Sequence, residues 1–269
     1  MGSEPRLIRS RDNPEVKALL RIARSARERR ATATTILDGE RLIESFGASG
    51  GTAEVIAVTD AAYGTPRIRK LLEGVPARSR LLLADPLVRQ ISQVVTTNGV
   101  LAVVRIPKPS PVPGRLPSCL LLDGIQDPGN LGSILRSAAA AAIGHVFLSE
   151  RSVFAWSPKV VRAGMGAHFH LSIYEGVDLK AIAERAAGPV IATGPHALQS
   201  LYDTDLRGQV AWIFGGEASG LSDEAVQMAT HLVRIPMSGG IESLNVAAAA
   251  AVCIFEQLRQ RFISQCERR

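Results

Sequence analysis

The stretch Cys119-Leu-Leu-Leu-Asp-Gly-Ile-Gln-Asp-Pro-Gly-Asn-Leu-Gly-Ser-Ile-Leu-Arg136 passes from an apolar run, through a turn punctuated by glycine and proline, into a segment that continues with alanines to Ala142. That order reads as strand, loop and helix. Further strand-like runs follow at His145–Leu148, Pro189–Ala192, Val210–Phe214 and Leu232–Ile235, each ending in a loop and most leading into a helical stretch. Short apolar runs joined by crossover helices are the pattern of buried parallel strands, so this half of the chain is expected to be α/β with a mostly parallel sheet. Ligands in such folds bind beyond the carboxyl ends of the strands.

Three of those strand ends carry unusual text. In Asp123–Arg136, three glycines and a proline expose backbone N–H groups, and Asn130 is placed to cap a helix or to meet a ligand. Arg136 falls about two turns into an otherwise apolar helix, where a guanidinium must reach a partner or snorkel to water. The spacing G-x-G-x-x-G is absent, so this is no dinucleotide fingerprint, and there is no G-K-[ST] phosphate loop. In Ile213–Glu224, glycines at 215, 216 and 220 admit a ligand close to the main chain, Glu217 puts a carboxylate at the strand mouth, and Ser222 with Asp223 and Glu224 starts a helix. In Ile235–Val246, Ser243 and Asn245 share a site only if Ser243 lies in the turn before the last helix, because residues two apart on a helix point about 200° from each other. Ala247–Ala251 keep that helix slim enough for another backbone to pack closely.

The N-terminal part is organised differently. Asn13-Pro14-Glu15 starts a helix expected to run to about Arg30, with Leu19, Leu20, Ile22, Ala23 and Ala26 inward and most arginines outward. Between Ile36 and Val104, apolar runs (Val55–Val58, Arg80–Leu83, Val100–Val104) alternate with helix-like stretches (Glu40–Phe46, Pro66–Glu73), the rhythm of a small α/β domain. Five prolines in the twelve residues Ile106–Pro117 read as a stiff spacer. The expected division is therefore 1–106, a linker at 107–117, and 118–269.

Charge points to a polyanion. The 269 residues carry 31 Lys and Arg against 25 Asp and Glu, and 26 of the bases are arginine. Residues 1–30 hold nine bases against four acids, so nearly the whole excess of six lies at one end. Arginine's planar fork matches phosphate, which makes this stripe a candidate RNA or DNA contact as well as a candidate solvated face. The longest apolar run, Val246–Phe255, is ten residues, too short for a bilayer span of roughly 20. The first residues lack the apolar core of a secretory signal, so a cytoplasmic location and no membrane partner are expected. Three scattered cysteines suggest neither a disulfide framework nor a thiolate metal site. His168-Phe-His170, taken as two histidines on one strand face, lacks a third ligand, and no metal is expected. Ser243 lacks the setting of a hydrolase nucleophile.

Together, Asn130-Leu-Gly-x-x-x-Arg136, Phe214-Gly-x-Glu-x-x-Gly-Leu221 and Ile235-Pro-Met…Glu242-Ser-Leu-Asn-Val246 resemble, in order and spacing, the three signature motifs of SpoU-type RNA 2′-O-ribose methyltransferases. The resemblance covers about Leu120 to Phe255. Gly216 and Ala218 depart from it, since members more often have Asn before the Glu and Gly after it. The resemblance implies a parallel-sheet domain with a trefoil knot, working as a homodimer through that domain. The preceding smaller α/β part, with Leu37-Asp-Gly-Glu-Arg-Leu42, looks like an RNA-substrate-binding domain, for which Arg9, Arg11, Arg24, Arg27, Arg30 and Arg41 are the expected contacts. S-adenosylmethionine would be the cofactor, held around Thr193, Gly194, Gly215, Gly216, Ile235, Pro236, Met237, Ser243 and Leu244. Arg136 matches the family's catalytic arginine, and Asn130, Glu217, Ser243 and Asn245 match the other catalytic motif positions. A guanidinium of pKa above about 12 is a poor base, so its expected role is to grip a phosphate and steady the developing oxyanion. Ribosomal RNA is the expected substrate, with transfer RNA or a non-catalytic RNA-binding assembly factor as alternatives. A dinucleotide oxidoreductase lacks its glycine fingerprint.

Overall fold

The structure, a computed structural model, describes residues 7–92, 97–195, 197–216, 220–240 and 243–266. In chain order its elements are β1 (Leu7–Ile8), α1 (Pro14–Arg24), α2 (Ala26–Thr32), β2 (Thr34–Asp38), α3 (Glu40–Ala48), β3 (Ala53–Thr59), α4 (Asp60–Tyr63), α5 (Pro66–Gly74), β4 (Ala77–Leu83), α6 (Asp85–Ile91) and β5 (Val100–Arg105). They continue with β6 (Cys119–Asp123), α7 (Pro128–Ala140), β7 (His145–Leu148), α8 (Pro158–Gly164), β8 (Ser172–Glu175), α9 (Leu179–Ala183), β9 (Val190–Thr193), β10 (Gln199–Ser200), β11 (Ala211–Gly215), α10 (Asp223–Met228), β12 (His231–Arg234) and α11 (Val246–Cys266). Two units result, Met1–Pro107 with Trp156–Phe169, and Lys108–Ala155 with His170–Arg269.

In the first unit the sheet order is β1-β4-β3-β5-β2, with β1, β3 and β4 mutually parallel and β5 antiparallel to both β3 and β2. Leu19, Leu20, Leu83, Val88 and Leu101 are among the aliphatics that fill one side of it. The single helix expected to reach Arg30 is two. Ser25 closes α1 and caps α2, accepting from Glu28 N at 3.1 Å, so the chain turns there. Arg29 does not face outward as the other arginines of this stretch do. It is 6% exposed and donates to the carbonyls of Ile22 (2.7 Å) and Ala23 (3.0 Å), satisfying orphan acceptors at the end of α1. Burial lowers its pKa, and the Arg30 charge adds to this.

The segment Trp156–Phe169, which the sequence placed in the second domain, packs into this first unit. Thr35 Oγ donates to the Trp156 carbonyl at 2.7 Å, and the Phe46 and Phe169 rings lie 5.2 Å apart. The expected strand through His168-Phe-His170 is a 3-10 turn, Ala167–His170. His168 is buried edge-on to Trp156 at 5.0 Å, a packing role.

The second unit is built on a sheet of order β10-β12-β9-β11-β6-β7-β8, and every pairing in it is parallel. The five runs read from sequence match β6, β7, β9, β11 and β12 to within one residue at either end. The short β8 was not read, since Ser172 and Glu175 flank only two apolar residues. The proline-rich stretch is no free spacer. Leu116 is fully buried, its N–H donates to Arg185 O (2.7 Å), its carbonyl accepts from Ala187 N (2.8 Å), and Tyr174 Oη donates to Ser110 O (2.8 Å). Proline supplies rigidity there while Leu116 supplies the anchor.

Candidate active site

Parallel strands carry their loops to one end, and the register fixes which loops meet: Asp123, last in β6, pairs with Gly215, last in β11, and Thr193, last in β9, pairs with Val233 of β12. A cavity of about 390 Å3 lies among these loops, lined by Thr193, Gly194 and Pro195, by Gly215, Gly216, Gly220 and Leu221, by Ile235 and Met237, and by Ser243, Leu244, Asn245, Val246 and Ala249. Its size falls in the usual range of about 300–1,000 Å3 for small-molecule sites. Eight of the nine residues expected around a cofactor line it, and Pro236 does not.

Glycine is required at two of these positions by close approach. A Cβ on Gly215 would strike the carbonyl of Gly220, and one on Gly216 would strike the carbonyl of Gly124. The loop after β11 is thereby folded onto the loop after β6. Beneath it, buried Asp123 accepts from Ser222 Oγ (2.7 Å) and Ser222 N (3.4 Å) with one oxygen and from Arg151 (2.6 Å) with the other. Burial would raise the carboxyl pKa, but the hydrogen bonds from Ser222 and Arg151 outweigh it and hold Asp123 below the usual carboxylate value of 3.8. Ser222 also caps α10, accepting from Ala225 N at 3.2 Å, as its sequence context indicated.

The first and third loops are joined by side chains. Asn245 Nδ2 donates to Asn130 Oδ1 at 2.9 Å, while Asn245 Oδ1 accepts from Ala247 N (2.9 Å) and Ala248 N (3.2 Å) at the start of α11. Ser243 lies before the helix, the one arrangement that lets it and Asn245 share a cavity. Asn130 does not cap α7. Asp127 does, accepting from Asn130 N at 2.8 Å with Pro128 first in the helix, which frees the Asn130 side chain for Asn245.

Arg136 stands six residues beyond Asn130 on α7, about 9 Å along the axis, and is exposed. It is not among the cavity's lining residues and makes no hydrogen bond or ion pair with a described residue. Glu217 lies outside the described residues. Cys119 and Cys253 are buried thiols pushed up to about 12 by burial, which removes them as nucleophiles at neutral pH. Among the described residues no three His, Cys, Asp or Glu side chains cluster as metal ligands, and no described helix is long and apolar enough to cross a membrane.

Of the arginines expected to meet RNA, Arg9, Arg11, Arg24, Arg27, Arg30 and Arg41 are all exposed. Arg11 and Arg24 line one groove with Asp12, Lys17 and Arg21, because residues 17, 21 and 24 fall on one face of α1.

The model of the SpoU rRNA methylase family matches residues 117–255. An uncharacterised tRNA/rRNA methyltransferase of Synechocystis is 33% identical over 95% of this chain and 94% of its own. A 23S rRNA (guanosine(2553)-2′-O)-methyltransferase, RlmP of Bacillus subtilis, is 30% identical over 92% of this chain and 97% of its own. Among solved structures, an RNA 2′-O ribose methyltransferase superposes with a TM-score of 0.80 at 30% identity, covering 96% of this chain and 100% of that one. The SpoU methyltransferase AviRb of Streptomyces viridochromogenes, in complex with AdoMet, gives 0.83 at 25% identity, covering 93% and 98%. The family model spans the β9, β11 and β12 loops that line the cavity, and with these likenesses along nearly the full chain it follows that the protein belongs to the SpoU rRNA methylase family.

Proposed function

We propose that this chain transfers the methyl group of S-adenosylmethionine to a ribose 2′-hydroxyl of structured ribosomal RNA. The observation that carries this reading is the cavity closed by three strand-end loops, whose walls are largely main chain because glycine stands at 194, 215, 216 and 220. Backbone groups at Thr193, Gly194, Gly215 and Gly216 would hold the cofactor's polar parts, and Ile235, Met237 and Leu244 its apolar ones, with Pro236 stiffening the turn. When bound, S-adenosylmethionine supplies an electrophilic methyl on a sulfonium, so the protein must chiefly align the hydroxyl and help remove its proton.

Arg136, exposed and without a protein partner among the described residues, is suited to the phosphate beside the target ribose, and its charge would steady the oxyanion as the proton leaves. Asn130 and Asn245, hydrogen-bonded to each other, and Ser243 beside them would orient the ribose. Glu217 belongs to the same proposal by its place in the second motif. The first unit would select the RNA through Arg9, Arg11, Arg24, Arg27, Arg30 and Arg41. We further assign a trefoil knot to the C-terminal crossing of the second unit, a homodimer paired through that unit, and a cytoplasmic location. Exposed Phe255 and Phe262 on α11 support a partner on that helix.

Calorimetric titration with S-adenosylmethionine tests the cofactor site: saturable binding near one site per chain is expected, abolished by Leu244→Glu, and an absence of binding would sink the proposal.

A further inference from the structure

Apart from the cofactor cavity, the first unit has a groove of about 270 Å3 assembled from stretches far apart in the chain. Arg41 comes from α3, Asn98 from the approach to β5, and Arg162 with Met165 from α8 and its end. The position of α8 is set by core packing. Besides the Thr35 bond to Trp156 and the Phe46–Phe169 contact, Gly166 has φ +92, and a Cβ there would strike Ser45 Oγ. Arg162 is thus carried to the same groove as Arg41 by built structure.

Neither guanidinium forms a hydrogen bond or ion pair with a described residue, and both are exposed. Elsewhere in the unit, arginines find acids: Arg67 pairs with Glu40 at 2.7 Å and Arg105 with Glu54 at 2.7 Å. The first of these pairs balances Glu40, so the groove's remaining charges are Arg41 and Arg162 against Asp38, which accepts from Ser92 Oγ at 2.6 Å, and the excess is one positive charge. Met165 caps α8 in the left-handed region at φ 49, uncommon for a residue with a side chain, and is 42% exposed. Two planar cations unpaired among the described residues, an amide and an exposed thioether in one small groove match the parts of a nucleotide.

Resting on the methyltransferase reading above, we propose that this groove is an RNA subsite for a single unstacked nucleotide. Its backbone phosphate is held between Arg41 and Arg162, its base lies against Met165, and Asn98 reads the base edge. Single-stranded positions in folded RNA present bases in this way, whereas a duplex would offer no base to an apolar side chain.

The test uses the full chain and a ribosomal RNA transcript, with wild-type binding and methylation of that transcript measured first. Arg41→Gln and Arg162→Gln are each expected to weaken RNA binding about tenfold and to lower the slope of log affinity against log salt by about 1. Affinity for S-adenosylmethionine, read by calorimetry, stays at the wild-type value and shows that the variants fold. Arg78→Gln, an equal charge change on β4 whose guanidinium sits 3.6 Å from Glu54, serves as the control and binds RNA within about twofold of wild type. Groove variants that bind like the control, while the wild type still methylates, overturn the subsite and leave the methyltransferase reading standing. A wild-type chain that binds cofactor but no RNA overturns both.

Discussion

Asn245 does two jobs with one amide: its oxygen caps α11 and its nitrogen bridges to Asn130. Asn245→Ala is expected to cost about 1 kcal/mol for the lost cap, a fall of about 2–4 °C in melting temperature. Methyl transfer should fall much further than that loss of stability implies, because the bridge between two site loops goes with it. Arg136 is the opposite case, an exposed side chain whose removal touches no packing. Arg136→Ala should leave the melting curve and cofactor binding unchanged while methyl transfer falls at least about 100-fold, the scale for loss of a charge-stabilising donor. Asp123 makes a pH prediction. Its folded-state pKa is depressed, so the stability it contributes is present above the unfolded value near 4 and is lost as pH falls through the lower folded value. Urea midpoints taken from pH 6 down to pH 3 should fall more steeply for the wild type than for Asp123→Asn.

At the level of elements, α11 is tied to the sheet by a buried polar cluster. Gln257 accepts from Trp212 Nε1 (2.9 Å) and donates to Ser118 Oγ (3.0 Å) and Gly208 O (3.1 Å). Gln257→Leu strands these groups, and a loss of about 2 kcal/mol is expected in chemical denaturation. Nothing in the sequence distinguished Gln257, because its partners lie far away in the chain. Local signals were more legible. Five of the seven strands of the parallel sheet announced themselves as uninterrupted apolar runs, while the short β8 and β10 did not, and the α1–α2 break carried a local signal that the one-helix reading passed over, the pattern Ser25-Ala-Arg-Glu28. What stayed hidden was long-range packing. Trp156–Phe169 joins the first unit through Thr35, Ser45 and Phe46, and no periodicity encodes that choice. The cavity was legible because its lining sits at strand ends, where glycines and short polar side chains gather. Arg136 was legible as an anomaly in an apolar helix, although the structure answers the anomaly with exposure and not with a partner among the described residues.

For the whole molecule, most of the exposed arginines lie on the first unit and the glycine-lined cavity belongs to the second, which is the division of labour that the proposed function assigns to them. If two copies pair through the second unit, sedimentation should give twice the chain mass, and Phe255→Lys with Phe262→Lys should return the monomer. The most direct test of the central assignment is transfer of labelled methyl from S-adenosylmethionine to ribosomal RNA, followed by digestion to nucleosides. The expected result is label confined to one 2′-O-methylated nucleoside and lost with Arg136→Ala. Label on a base, or transfer undiminished by that substitution, would contradict the assignment.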